Sequence, residues 1–246
     1  MEAHAAASVV LTLLGVAALA AYALALLRLR RPWPTLRTAA FAAGIALALL
    51  SVSLPMAERA AHDARAHMAA HVLLGMIAPL GIVLGRPATL ALRALPRRGA
   101  RALVTIARAP LLRALAHPWV ALVPNVGGMA LLYLTPLYVA MHGSLPIQIV
   151  VHVHFVLAGS LFAWSIAGLE RIGPRPSSHV ARLGALFVGA AAHATLARAM
   201  YAYGFPRTTA HDAVELAEAA KIMYYGGDAA ELLLAIVIFA RWPWRA

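Results

Sequence analysis

The chain has 246 residues, is 63% hydrophobic and only 12% charged, and carries a formal net charge of +12 at pH 7. A water-soluble domain cannot bury that much apolar surface, so the composition indicates a polytopic membrane protein. The chain has no cysteine, which excludes disulfides, thiolate metal sites and iron–sulfur clusters. Any bound metal must therefore be held by His, Met, Asp, Glu or backbone oxygen atoms.

Apolar runs predict an all-α integral membrane protein whose seven transmembrane helices form one domain over residues 1–246. Each run is long enough to cross the hydrocarbon core at about 1.5 Å per residue. The predicted spans are residues 6–27, 36–55, 64–85, 119–141, 145–168, 180–203 and 217–240. The first run lacks the basic start of a secretory signal and is of full span length, so we interpret it as a retained helix.

The basic residues predict the orientation of the bundle. Most of the 21 Lys and Arg fall on alternate connections, which must share one side of the membrane. They are Arg28, Arg30, Arg31, Arg37, Arg86, Arg93, Arg97, Arg98, Arg101, Arg108, Arg113, Arg171, Arg175, Arg182, Arg241 and Arg245. The positive-inside rule then puts the N-terminus outside and the C-terminus in the cytoplasm. The basicity is explained by this topology and by contact with the lipid bilayer, so no nucleic-acid partner is predicted.

The longest connection is the Arg-rich segment 86–118, which is predicted to be cytoplasmic. Leu103 and Ile106 are interleaved with Arg101 and Arg108, a pattern typical of a short amphipathic helix lying on the membrane surface. The alternative is an irregular loop anchored by its charges.

Two histidines mark the start of the third span. His67 and His71 are four residues apart, so a helix places both imidazoles on one face. Pro79 follows in the same span and has no N–H to donate to the Gly75 carbonyl, so we expect a kink and a free backbone acceptor there. Ionisable groups inside a span are costly, which makes this pair a candidate functional site.

Ligand-type residues on other spans lie at a similar depth to His71. Counting from the outer ends at about 1.5 Å per residue places them roughly 10–16 Å below the outer surface. The candidate metal ligands are His67, His71, His152, His154, His193 and Asp228. His152 and His154 point about 200° apart on a helix, so only one of them is expected to face a shared site. Substitution of His142 or His211 is expected to be nearly silent for metal binding.

The polar residues near this level leave further alternatives open. Asp228 and Glu231 share a helix face, and Arg198 or Lys221 could pair with these carboxylates instead of a metal. Span methionines are usually packing residues, although thioethers bind Cu(I) well. Imidazole without thiolate suits copper or zinc, and two histidines on different helices can also hold a heme iron.

Four stretches carry a resemblance to a known family. They are HMAAHVLLGMIAPLGIVLGRP with the following ALRALP, HVHFVLAGSLFAWSIAGL, AAHATLARAMY and KIMYYGGDAAELLL. In their order and spacing they resemble the polytopic CtaG-type cytochrome c oxidase assembly factors. The family motifs fall on His67, His71, His152, His193 and Asp228. Tyr224 stands where the family usually has Trp, and Lys221 is unexpected.

The resemblance implies a non-enzymatic role in maturing the copper centres of a heme–copper oxidase in the bacterial plasma (inner) membrane. The physical interpretation is an outward-facing copper site that passes its ion to an oxidase subunit. A periplasmic copper chaperone as donor and self-association into a homo-oligomer both stay open. Two rival hypotheses are a heme-binding membrane protein and a zinc-dependent seven-helix hydrolase with Asp228 as its base.

Overall fold

The computed structural model describes residues 2–170, 177–207 and 209–240, without the side chains of residues 2–4. Within those ranges every regular element is a helix, which confirms the all-α prediction. The topology argument also used Arg171, Arg175, Arg241 and Arg245, which lie outside the described residues.

The helices follow the predicted spans closely, with additional short helices between them. In chain order they are α1 Glu2–Leu27, α2 Thr35–Val52, α3 Leu54–His62, α4 Ala64–Val72, α5 Ala78–Leu84, α6 Pro87–Ala94, α7 Arg97–Ala107, α8 Pro110–Leu115, α9 Pro118–Leu134, α10 Leu137–Gly143, α11 Leu145–Ala167, α12 His179–Tyr203 and α13 Ala213–Phe239. In the part of the chain that is described, six helical runs are long and apolar enough to cross a membrane. The pair α9 and α10 would add a seventh if counted as one bent span.

The predicted third span is one continuous helical run with a widened turn in its middle. A π-helical segment, Leu73–Ile77, joins α4 to α5. Pro79 lies just beyond it and cannot donate to the Gly75 carbonyl, which agrees with the disturbance expected there. That carbonyl packs against α11 at Gly159, where an added Cβ would overlap its oxygen atom. The proline therefore shapes the place where the third span meets α11.

The segment predicted as the span over 119–141 is bent in the structure. Helix α9 ends at Leu134 and α10 leaves it at an angle of 80°. The cause is Pro136, because a residue that precedes proline is driven out of the helical region. Thr135 has φ −123° and ψ 171°, an extended conformation. The bend turns Tyr138 and His142 of α10 back over the bundle.

Helices α2 and α5 touch backbone to backbone at two glycines. A Cβ on Gly44 would lie 2.7 Å from the Ala78 carbonyl oxygen, and one on Gly81 would lie 2.8 Å from the Ala40 carbonyl oxygen. Small residues at such crossings let membrane helices pack closely, which is how association is stabilised where lipid competes for apolar contact.

Helix α1 is hydrogen-bonded to the rest of the bundle toward both of its ends. Near its N-terminal end the Ser8 hydroxyl donates to the Val52 carbonyl at 2.6 Å, and nearer its C-terminal end the Tyr22 hydroxyl donates to the Gly85 carbonyl at 2.9 Å. Between these contacts an apolar groove of about 580 Å³ runs between α1 and helices α2, α5, α6 and α11. His152 and Ser160 of α11 lie on its floor.

Polar side chains close the helix ends on the side opposite the paired histidines. The Glu170 carboxylate accepts hydrogen bonds from the backbone N–H groups of Ala88 and Thr89 at 3.1 and 2.7 Å, so it caps the start of α6. The Arg182 guanidinium donates to the Ile166 and Ala167 carbonyls at the end of α11. The connection 86–118 is helical, as one of the two alternatives predicted, and α7 has no buried residue.

The close crossing at Gly81 predicts a measurable loss of stability when a methyl group is added. Gly81→Ala should lower the free energy of unfolding by about 1–3 kcal/mol, because the new Cβ would push against backbone atoms that cannot move aside. Gly127→Ala is the matched control, since its Cβ would meet nothing within 4 Å and alanine favours the helix. Unfolding in detergent measures both variants, and equal stability of the two would contradict the packing argument.

Candidate functional site

His67 lies in a ring of aromatic side chains near the start of α4. Its Nε2 is 3.4 Å from the Tyr133 hydroxyl, with the roles of donor and acceptor set by the tautomer. Its ring meets Tyr138 edge to face at a centroid distance of 4.9 Å, and the His142 ring lies 5.8 Å away. Both α10 residues reach this position because of the bend after α9.

His71 is one turn deeper and more enclosed. Its ring meets Phe155 edge to face at a centroid distance of 4.6 Å and Tyr133 at 5.4 Å. The side chain is buried, and its Nε2 has no hydrogen-bond partner among the residues that the structure describes. Buried polar groups are normally satisfied, so an unpartnered imidazole nitrogen inside a membrane bundle requires an explanation.

A small cavity opens beside these two histidines, and we call it the outer cavity. Its volume is about 40 Å³, enough for one water molecule or one ion. The polar or sulfur-bearing side chains that line it are Ser51, His67, His71, Met141 and His152. The set combines three imidazoles with one thioether. These are ligand types that a soft first-row metal ion accepts.

His152 lies between two spaces. Its Nδ1 is 2.7 Å from the Gln148 carbonyl oxygen one turn earlier in α11. Its ring lines the outer cavity on one side and the apolar groove beside α1 on the other. His154 lies away from both: its Nε2 is 3.1 Å from the Pro124 carbonyl oxygen of α9. Of the two histidines, His152 is therefore the one beside His67 and His71.

A carboxylate on α13 holds the first turn of α4 in place. Glu215 accepts a hydrogen bond from the backbone N–H of Ala64, one of the N–H groups that a helix start leaves free. The same carboxylate is 2.9 Å from Nδ1 of His211, whose Nε2 is 3.4 Å from the Tyr138 hydroxyl. These contacts connect α13, α4 and α10 around His67.

Asp63 and Arg65 add an exposed network at the same end of the bundle. The Asp63 carboxylate accepts from the Arg65 backbone N–H at 2.8 Å, which caps α4. The Arg65 guanidinium is 3.0 Å from Asp63 and 3.1 Å from Glu218 on α13. Its hydrogen bond holds the pKa of the Asp63 carboxyl below the usual value. The cap is therefore ionised at neutral pH, and its contribution is lost only when the pH falls through that lowered pKa.

His193 occupies a second and deeper site. It is 1% exposed, and neither ring nitrogen has a hydrogen-bond partner in the described ranges. The ring presses against α13 at Gly227, where an added Cβ would overlap it. Beside it is a cavity of about 30 Å³, which we call the inner cavity. The residues that matter for its chemistry are Met76, Asn125, Met129, His193 and Glu231.

The six predicted ligands are thus divided by the structure. His67, His71 and His152 share the outer cavity, His193 lies at the inner one, and His154 points to α9. Asp228 is exposed on the outward face of α13. Among the described residues, no three His, Asp or Glu side chains come close enough to hold one metal ion. A shared site would therefore need thioether or backbone ligands as well.

The basic residues predicted as alternative partners of the α13 carboxylates contact aromatic rings instead. The Arg198 guanidinium donates to the Tyr224 hydroxyl at 3.3 Å and lies 5.4 Å from its ring centroid. The Lys221 ammonium lies 5.8 Å from the Tyr201 ring centroid. In the described part of the chain, neither forms an ion pair with Asp228 or Glu231.

Sequence reasoning missed Tyr133, Tyr138 and the proximity of His142. A straight span over 119–141 would have carried Tyr138 and His142 away from α4. The signal that could have located them was Pro136, because a proline seventeen residues into a span predicts a bend. The His142 ring lies 5.8 Å from the His67 ring. Distance from the candidate site therefore gives no reason to expect that a His142 substitution is silent for metal binding.

The fold and its cavities define a multi-span membrane protein with histidine-lined spaces inside the helix bundle. Over residues 20–244 the chain matches the family described as cytochrome c oxidase caa3 assembly factor (Caa3_CtaG). The chain belongs to this family, as the four sequence stretches predicted.

Uncharacterised mycobacterial proteins are among its relatives. One from Mycobacterium leprae is 32% identical over 186 residues, which is 70% of this chain and 28% of the relative. Others from Mycobacterium bovis and Mycobacterium tuberculosis are each 33% identical over 193 residues, 73% of this chain and 29% of the relative. The chain thus spans under a third of the length of the curated relatives it matches. No solved structure matches it.

The two carboxylates at the start of α13 predict unequal effects of substitution. Glu215→Gln should cost about 1–3 kcal/mol of unfolding free energy, because its side chain is only 19% exposed and serves both Ala64 and His211. Glu218→Gln, at a position 47% exposed, should change stability by less than about 0.5 kcal/mol. Unfolding in detergent provides the comparison, and a larger loss at Glu218 would be the contrary result.

Proposed function

We propose that this protein serves the assembly of a cytochrome c oxidase by binding a copper ion in the outer cavity and delivering it to an oxidase subunit. The observation that carries the proposal is Nε2 of His71, which has no hydrogen-bond partner among the described residues, beside a cavity that His67, His152 and Met141 also line. Membership of a family described as oxidase assembly factors supports the biological role. The copper ion is cargo, and the protein has no catalytic step in this scheme.

The ligand set supports Cu(I) over harder ions. Cu(I) is satisfied by two or three ligands and favours imidazole and thioether donors. His71, His152 and Met141 supply such a set. A zinc site typically takes at least three His, Cys, Asp or Glu ligands, and among the described residues no three of these come close enough to hold one ion. A site without thiolate also releases its ion more readily, which suits transfer to another protein.

The charges support an orientation with this cavity toward the outside. The end of the bundle near His67 carries Asp63, Glu215 and Glu218, and the opposite end carries the Arg-rich connection with α6, α7 and α8. With α9 and α10 counted as one bent span, seven runs are long and apolar enough to cross. The positive-inside rule then favours an outside N-terminus and a cytoplasmic C-terminus. The proposed location is the bacterial plasma membrane, with copper arriving from the periplasmic side, where a chaperone can supply it.

The rival functions fit the geometry less well. Pockets for cofactors have volumes of roughly 300–1,000 Å³, far larger than the 40 Å³ beside His71, so a heme does not fit there. A zinc hydrolase would need its base near the metal, and Asp228 faces outward from α13. Both observations favour the copper hypothesis.

Copper titration of the purified protein tests the proposed site directly. His67→Ala/His71→Ala should weaken Cu(I) binding at the outer cavity at least tenfold, about 1.4 kcal/mol or more, because two imidazoles are removed. His62→Ala is the matched control, since His62 is exposed at the end of α3 and should bind as wild type. Competition with a chromophoric Cu(I) chelator gives both values, and equal affinity in all three proteins would refute this site.

Respiring cells test the biological role. Cells without this protein, grown under copper limitation, should assemble oxidase of reduced copper content and activity, and added copper should restore part of both. The wild-type gene should complement fully, His62→Ala should also complement, and His67→Ala/His71→Ala should not. Fully active oxidase in the deleted cells under copper limitation would contradict the proposal.

A further inference from the structure

The deeper histidine has surroundings that the outer cavity does not explain. His193 is almost completely buried, and both of its nitrogens lack partners among the described residues. A neutral imidazole normally uses one nitrogen as donor and the other as acceptor. Leaving both unmet inside a membrane bundle costs free energy that a structural histidine would not need to bear.

The inner cavity offers further donors to an ion beside this ring. The thioethers of Met76 and Met129 come from the third span and α9, and the carboxylate of Glu231 comes from α13. Glu231 forms no ion pair in the described part of the chain. A carboxylate inside a span needs a cationic partner, a proton or a metal. Three further elements thus contribute residues with potential ligand atoms to the lining of the space that His193 borders.

We propose that the inner cavity is a second Cu(I) site, with His193, Met76 and Met129 as its ligands and Glu231 balancing the charge. Imidazole and thioether donors select Cu(I) over zinc, magnesium or calcium. A cavity of about 30 Å³ holds one bare ion and leaves no room for its hydration shell, so the protein must supply the ligands. The inference of a second site rests on the proposed function in one respect, namely that the ion carried by this protein is copper.

The two cavities follow one another along the third span, and residues of the π-helical segment line both of them. Leu74 lines the outer cavity, whereas Gly75 and Met76 line the inner one. On α11 the lining moves from Val151–Phe155 to Gly159–Ala163, eight residues further, which corresponds to about 12 Å. The inner cavity therefore lies further along α11 than the outer cavity, away from the end of the bundle that carries His67. An ion that enters at His71 would reach His193 by passing the widened turn.

Copper stoichiometry, measured on the intact protein in detergent, tests the second site. Wild type should bind two Cu(I) ions per chain. His67→Ala/His71→Ala should keep one, and its X-ray absorption spectrum should show sulfur neighbours. Met76→Leu/Met129→Leu preserves volume and should therefore keep the fold while it lowers inner-site affinity at least tenfold. His193→Gln should have the same effect, and circular dichroism with size-exclusion chromatography confirms that each variant is folded.

Each result decides between the two proposals. One ion per wild-type chain, lost in His67→Ala/His71→Ala and unaffected by His193→Gln, would overturn the second site and leave the proposed function standing. One ion retained in His67→Ala/His71→Ala and lost in His193→Gln would keep the inner site and refute the outer one. A remaining ion without sulfur neighbours would overturn the thioether ligation, and no bound copper in wild type would overturn both proposals.

Discussion

A helix end that lies away from water must find partners for its free backbone groups within the protein, because hydrocarbon offers none. Several helix ends of this bundle are satisfied by charged side chains. Glu215 and Asp63 satisfy the start of α4, Glu170 the start of α6, and Arg182 the end of α11. The positions of α4 and α11, and so of the histidines they carry, depend on these contacts.

Other polar side chains in the described part of the bundle lack such partners. Most described carboxylates serve a helix start or an ion pair, whereas Asp228 and Glu231 do neither within the described ranges. Nε2 of His71 and both ring nitrogens of His193 also lack hydrogen-bond partners among the described residues. These polar atoms belong to residues that line the outer and inner cavities. The proposed copper cargo would account for the combination of imidazole with methionine at both cavities.

The sequence predicted well where the apolar helices begin and end in the chain, because length and hydropathy determine where a membrane-spanning run can lie. The common level predicted for the ligands did not place them in one cavity, since His71 lines the outer cavity and His193 the inner one. The sequence also predicted that His67 and His71 share a face, since the spacing of a helix fixes that too. The sequence did not predict how each helix is rotated about its own axis. Nothing in the local pattern shows that Asp228 faces outward while Glu231 borders a cavity, because rotation is set by packing between helices that are distant in the sequence.

The third span shows how one residue can shape a site without touching a ligand. Pro79 removes a hydrogen-bond donor, and the helix responds with a π turn rather than a break. That turn is where the lining passes from the outer to the inner cavity. Its carbonyl at Gly75 fits only because α11 has a glycine opposite. Two apparently structural residues, Pro79 and Gly159, therefore determine how the histidine-bearing helices approach each other.

His152 has one further consequence because it separates the outer cavity from the apolar groove beside α1. The walls of that groove are mostly apolar, so acyl chains of a bilayer would match them. The His152 ring, together with Leu74, would then lie between a polar compartment and the lipid phase. If the ring swings away, the two spaces merge, and lipid methyl groups reach His71. The composition of the surrounding membrane would then determine how well the histidine compartment is insulated.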